Sequence, residues 1–193
     1  MGAYSIKHKI IFSHVAKCAG STIMSGLQEA IGADFHRCNP HCGLDVIFKE
    51  IKFKNANPLE FRRLVSVRNP WDRAVSLYHY ILDAENGYIQ TIEGKTKKIY
   101  KKKINEDFNE FVKLIEPLPS HYYDRYHYII KFEELQSGFD KFCDICDIPK
   151  VKLRNFNKNF IRPKDYRILY NDESVQIIRS KFQDIIERFQ YSF

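Results

Sequence analysis

The sequence predicts an α/β protein: a single domain over residues 1–193, with a central, mainly parallel sheet flanked by helices. Three observations carry that expectation. Apolar residues make up 44% of the 193 residues and aromatics 15%, which is enough for a sizeable core in one domain. Short apolar runs near 8–15, 62–68 and 126–132 alternate with helix-periodic stretches at 21–31, 70–83, 106–116, 134–147 and 172–189, with no internal repeat or linker. Two of the strand-like runs break sharply into a helix, an arrangement that places ligands at the C-terminal ends of strands.

The first such unit runs from the apolar stretch Lys9–Val15 through Ala16-Lys17-Cys18-Ala19-Gly20-Ser21-Thr22 into the helical Ile23–Ile31. The first turn of a helix leaves backbone N–H groups unpaired, and Gly20 allows a ligand to approach that backbone closely. Lys17 adds a mobile charge, and Ser21 and Thr22 add hydroxyl donors, a set that suits phosphate or sulfate better than a neutral ligand. An ordinary strand-to-helix turn with a solvent-facing lysine would use the same residues. The nucleotide-triphosphatase loop is excluded by residue order, because its lysine follows the glycines, whereas Lys17 precedes Gly20.

The second unit runs from Leu64–Val67 into Arg68-Asn69-Pro70-Trp71-Asp72-Arg73-Ala74-Val75-Ser76-Leu77-Tyr78 and on to Leu82. Pro70 suits the first turn of a helix, and Trp71, Val75, Tyr78 and Leu82 recur at helical spacing as a core stripe. Arg68, Arg73 and Ser76 are left for other work.

These two segments together resemble the carbohydrate sulfotransferase family. His14-Val15-Ala16-Lys17-Cys18-Ala19-Gly20-Ser21-Thr22 is similar to the family's 5′-phosphosulfate loop, and Val67–Tyr78 to its 3′-phosphate motif. Phe132-Glu133-Glu134-Leu135, Tyr166-Arg167 and the final Phe189-Gln190-Tyr191-Ser192-Phe193 resemble the short bacterial-type members, so the likeness spans nearly the whole chain. It implies a P-loop-kinase-like sulfotransferase fold and the donor 3′-phosphoadenosine 5′-phosphosulfate, with no metal required. The acceptor it implies is a hydroxyl of a carbohydrate or related molecule. Carried over residue by residue, Lys17 stabilises the leaving phosphate at the bridging oxygen. Cys18, Ala19, Gly20, Ser21 and Thr22 line the 5′-phosphate, and Arg68 and Ser76 take the 3′-phosphate. Family members often carry a base histidine ahead of a helix in the region of Asn39–Ile47, which points to His41, with His36 second. His14 is expected to be structural, and His79 to lie near the adenosine.

Two residues depart from the family pattern: Ala16 replaces a proline and Cys18 a threonine, loosening the loop and removing a hydroxyl. The cysteine count is five, and the chain opens without a secretory leader or long apolar segment, which argues for the cytoplasm and against both a disulfide framework and a transmembrane segment. Cys143 and Cys146 have metal-ligand spacing, yet with Phe139 and Phe142 they form a buried helical stripe. The net charge of +7 suits an anionic donor and is compatible with an acidic glycan. The basic run Glu93–Lys103 is read as a solvated insertion or an acceptor-facing loop, and nucleic acid is disfavoured because stacking aromatics are not interleaved with it. Arg154, Lys158, Arg162, Lys164 and Arg167 form a later basic region that surface solvation would explain, and the family resemblance implies that Arg162 or Lys164 assists at the 3′-phosphate. The alternatives are a nucleotide-dependent phosphotransferase and a non-catalytic nucleotide- or glycan-binding module.

Overall fold

A computed structural model of the chain describes residues 2–38, 43–83, 88–90, 96–98, 107–154 and 162–193. They form two compact units, Met1–Val67 with Tyr123–Phe156, and Arg68–Tyr122 with Asn157–Phe193.

The first unit is built on a five-stranded sheet. Its strands are β1 (Gly2–Ser5), β2 (Ile10–Ser13), β3 (His36–Arg37), β4 (Arg62–Val67) and, after the chain returns from the second unit, a strand at Tyr128–Lys131. The spatial order is β3-β1-β2-β4 and then Tyr128–Lys131. β2 pairs in parallel with β4, and β4 with Tyr128–Lys131, whereas β1 is antiparallel to both β2 and β3. The sheet is therefore mixed rather than mainly parallel, because the N-terminal hairpin adds an antiparallel edge. Nothing in Ile6-Lys7-His8-Lys9 marks that hairpin turn in the sequence. Lys9 itself takes the left-handed conformation usually left to glycine or asparagine, at φ 52°. Asp34 ties the turn down, its Oδ2 accepting from the Ser5 hydroxyl and, at 3.2 Å, from the Lys7 N–H.

Helices α1 (Gly20–Ile31) and α2 (Leu44–Phe53) belong to this unit, as does a third helix at Leu135–Cys146. Ile23, Met24 and Leu27 of α1 and Phe139, Phe142, Cys143 and Cys146 of the third helix bury themselves with Ile10, Phe12 and Leu64 of the sheet. Each such side chain contributes about 1.5–3 kcal/mol when fully buried. The cysteine stripe predicted from spacing is thus packing. Burial pushes the Cys143 thiol up to about 12 and the Cys146 thiol to about 11, so both stay protonated at neutral pH.

Because the three parallel strands share a direction, the chain leaves them at one edge of the sheet, after Ser13, after Val67 and after Lys131. The chain leaving β3 is anchored at the same edge, where the Cys38 N–H donates to Gly2 O at 2.9 Å and Gly2 is registered with Ser13.

The second unit contains α3 (Pro70–Asp83), the antiparallel pair β5 (Tyr88–Gln90) and β6 (Thr96–Lys98), and α4 (Phe108–Leu114). In chain order the strand at Tyr128–Lys131 is then β7 and the helix at Leu135–Cys146 is α5, and the second unit ends with α6 (Asp172–Lys181) and α7 (Gln183–Phe189). Trp71, Val75 and Tyr78 face Phe108, Phe111, Ile178 and Phe182 in its core, as the helical stripe predicts, and the Tyr78 and Phe108 rings meet edge-on at 5.3 Å. The expected last helix, 172–189, is two. Phe182 leaves helical geometry at φ −112° and ψ 19°, and the Ile185 N–H bonds to Phe182 O three residues back. No proline or glycine announces that break. Within Glu93–Lys103 only Thr96–Lys98 falls among the described residues. No helix among the described residues is long and apolar enough to cross a membrane.

Candidate functional site

The loop after β2 is shaped by its backbone. Lys17 and Ala19 both take left-handed conformations, at φ 65° and 63°, and each costs on the order of 1 kcal/mol for a residue with a Cβ. Ala19 is the N-cap of α1 and offers no side-chain hydrogen bond, and the first turn contains no acidic residue. The helix bonding begins with the Ile23 N–H to Ala19 O at 3.0 Å, so the N–H groups of the preceding turn point out of the helix start. A twelve-residue helix thus presents an uncapped, positively polarised end directly after half-buried Lys17.

Gly20 has a packing task besides the one the sequence suggests. A Cβ there would lie 1.8 Å from Cδ2 of His14, so the glycine seats the His14 ring against the start of α1. That ring also stacks on Phe12, with centroids 6.5 Å apart and planes 16° from parallel. Burial, with the Lys17 charge adding to it, lowers His14 to about 4, and the imidazole is neutral at physiological pH. Cys18 is buried and its thiol donates weakly to Ala16 O at 3.7 Å. Thr22 is buried and Ser21 half-buried. The hydroxyls of Ser13 and Ser66, near the ends of β2 and β4, are buried with no hydrogen-bond partner among the described residues.

The segment after β4 relies on side chains. Asn69 caps α3, its Oδ1 accepting from the Trp71 N–H at 3.1 Å, and Pro70 follows as the first helical residue. Asn69 Nδ2 donates to Ser192 O at 2.8 Å, and the Tyr170 hydroxyl to Trp71 O at 2.8 Å, which fastens the C-terminal residues to this turn. Arg68 is buried and directs Nε, at 2.7 Å, and a terminal nitrogen, at 2.6 Å, to Oδ2 of Asp72. The other carboxylate oxygen of Asp72 accepts from Arg162. Burial and the nearby Arg68 charge pull Arg162 down to about 10, still a cation at neutral pH. One carboxylate therefore holds two guanidinium groups. Ser76 is half-buried one turn beyond Asp72 on the same helix. His79 is buried beside Tyr78, with the rings edge-on at 5.4 Å.

The predicted donor residues thus fall into two groups, each described in its own unit: Lys17, Cys18, Ala19, Gly20, Ser21 and Thr22 at the start of α1, and Arg68 and Ser76 on α3. His41 lies outside the described residues, as does Lys158. His36 is exposed on β3, its ring 5.4 Å from Tyr4. Lys164 and Arg167 are exposed, and the Arg167 guanidinium lies over the Tyr166 ring at 5.0 Å. Asp72 carries no role in the sequence reading. Its four-residue spacing from Arg68 was the available signal, and its second partner lies 90 residues away.

Two of the parallel strands, β2 and β4, run into helix starts that carry cationic groups, an arrangement suited to a protein that handles anions. The chain belongs to the sulfotransferase family: the family's sequence model matches residues 3–192. No curated protein and no solved structure gives a significant match. Membership makes the chain a transferase of sulfuryl groups to a hydroxyl-bearing acceptor.

Proposed function

We propose that the chain moves the sulfuryl group of 3′-phosphoadenosine 5′-phosphosulfate to a hydroxyl of a carbohydrate or related acceptor, and that both units serve one sulfotransferase domain. The observation that carries the donor assignment is the pair of cationic helix starts following the parallel neighbours β2 and β4. A donor with phosphates at both the 5′ and 3′ positions needs two such places. A family match that runs through both units supports treating them as one domain.

In this reading the N–H groups at the start of α1, with Ser21 and Thr22, hold the 5′-phosphate, and Lys17 neutralises the charge that grows on it as the bond from sulfur to the bridging oxygen breaks. Arg68 and Ser76 bind the 3′-phosphate, joined by Arg162 through their common neighbour Asp72. The acceptor oxygen attacks sulfur in line and loses its proton to His41, leaving a sulfate ester and 3′-phosphoadenosine 5′-phosphate. His41 is preferred to His36 because family members often carry the base histidine just ahead of a helix, and α2 begins at Leu44. No metal is needed for these roles. Buried thiols held protonated at Cys143 and Cys146 agree with a reducing compartment, and the cytoplasm is the proposed location.

Thermal melting with 3′-phosphoadenosine 5′-phosphate, adenosine 5′-phosphate and magnesium-ATP tests the donor class. A ligand at 100 times its dissociation constant adds about 2.7 kcal/mol, a shift of several degrees, and this is expected only with the 3′-phosphorylated nucleotide. Stabilisation by magnesium-ATP instead would establish a phosphotransferase.

A further inference from the structure

The Arg68–Asp72–Arg162 cluster has a feature that the donor assignment does not explain. A buried ion pair is a poor source of stability, because desolvating both charges offsets their attraction. Here a second arginine is added to a pair that is already neutral, so two like charges are held beside one carboxylate in a largely buried place. Asp72 uses both oxygens for this: two nitrogens of Arg68 converge on Oδ2, and Arg162 takes Oδ1. Arg162 also keeps a buried Nε–H with no hydrogen-bond partner among the described residues.

The carboxylate itself is on a rigid support. Asp72 lies in the first turn of α3, which is fixed by the Asn69 cap, by Pro70 and by Trp71, whose indole donates to Val175 O at 3.2 Å. A guanidinium held along one edge keeps a fixed plane, and its remaining donors then point in a set direction. Two long side chains with no common anchor would lose that alignment and repel each other.

We propose that Asp72 is the positioning residue of this cluster, orienting Arg68 and Arg162 together so that they grip a dianionic phosphate ester and make nucleotide binding depend on a phosphate at the 3′ position. The inference rests on the donor reading above and adds to it the carboxylate that turns two arginines into one receptor.

Calorimetric titration of the full chain with 3′-phosphoadenosine 5′-phosphate and with adenosine 5′-phosphate tests it, using wild type, Asp72→Asn and Asp72→Glu. Asp72→Asn keeps the size and removes the charge. It is expected to weaken binding of the 3′-phosphorylated nucleotide by about tenfold or more while adenosine 5′-phosphate changes by less than about threefold. Asp72→Glu keeps the charge but displaces both guanidinia, and a loss of about three- to tenfold is expected in the same direction. Should the Asn variant not fold, the Glu variant carries the test. A wild type with no preference between the two nucleotides overturns the donor reading and this inference together. A wild type that prefers the 3′-phosphorylated nucleotide, with variants that bind it equally or more tightly, overturns only the role of Asp72, and so do variants that lose both nucleotides equally.

Discussion

Residues 14–22 and residues 68–76 both follow a strand of the parallel part of the sheet and both open a helix, but the first is made of backbone and the second of side chains. In the first, two left-handed residues and one glycine fold the loop, and helix N–H groups supply the polarity. In the second, an asparagine cap and a proline fix the turn, and two arginines share a carboxylate. The backbone version asks little of its side chains. The side-chain version tolerates little, and each residue of Arg68-Asn69-Pro70-Trp71-Asp72 has an identifiable partner or position.

The comparison breaks most sharply at Lys17 and Arg68. Lys17→Ala is expected to lower kcat by about a thousandfold with donor KM nearly unchanged, because that charge is needed mainly as the leaving phosphate develops. Arg68→Ala should act the other way, raising donor KM by about tenfold or more with a smaller change in kcat. Steady-state kinetics over donor concentration separates the two, and a fully active Lys17→Ala would remove the loop from the chemistry.

Gly20→Ala sharpens the backbone side. Its Cβ would fall on the His14 ring, so a loss of about 1–3 kcal/mol is expected in urea unfolding. His14→Ala should remove much of that penalty in the double variant. Additive losses would mean that the His14 ring is not what excludes a Cβ at position 20.

A pH dependence is expected from His14 as well. Its folded value of about 4 lies below the ordinary 6.5, so the unfolded chain takes up the proton first. The stability contributed by the neutral ring is complete above pH 6.5 and declines as pH falls from 6.5 towards 4, by roughly 2–3 kcal/mol across that window. His14→Asn should flatten the part of the stability–pH curve between those values. An unchanged slope would show that the ring is not held neutral.

Much of this architecture was legible in the sequence, and the exceptions share a cause. Strands β2, β4 and β7 and helices α1, α3 and α5 follow from apolar runs and helical spacing, and the stripes Trp71-Val75-Tyr78 and Phe139-Phe142-Cys143-Cys146 are buried as their periodicity requires. The hairpin of β1 and β2 turns on Lys9 in a left-handed conformation that lysine does not advertise. The break at Phe182 lacks a helix-breaking residue. In the candidate site, the two motifs announce Lys17 and Arg68, whereas the reason for Gly20 appears only when His14 packs against it. Arg162 could be suspected from its charge, but its bond to Asp72 is a tertiary contact that local sequence does not encode.

The way the chain returns to its sheet has a consequence for how the protein can vary. β4 and β7 are hydrogen-bonded neighbours, with Leu64 opposite Tyr128, although residues 68–127 lie between them. Bringing together the ends of a span of that length costs roughly 3–4 kcal/mol of chain entropy, but the cost grows only with the logarithm of length. Ten residues added to or removed from the stretch between α3 and α4 would alter it by about 0.1–0.2 kcal/mol. That stretch, which carries the β5–β6 pair, can change its length almost without penalty to the sheet, leaving evolution free to remodel it while β4 and β7 stay paired.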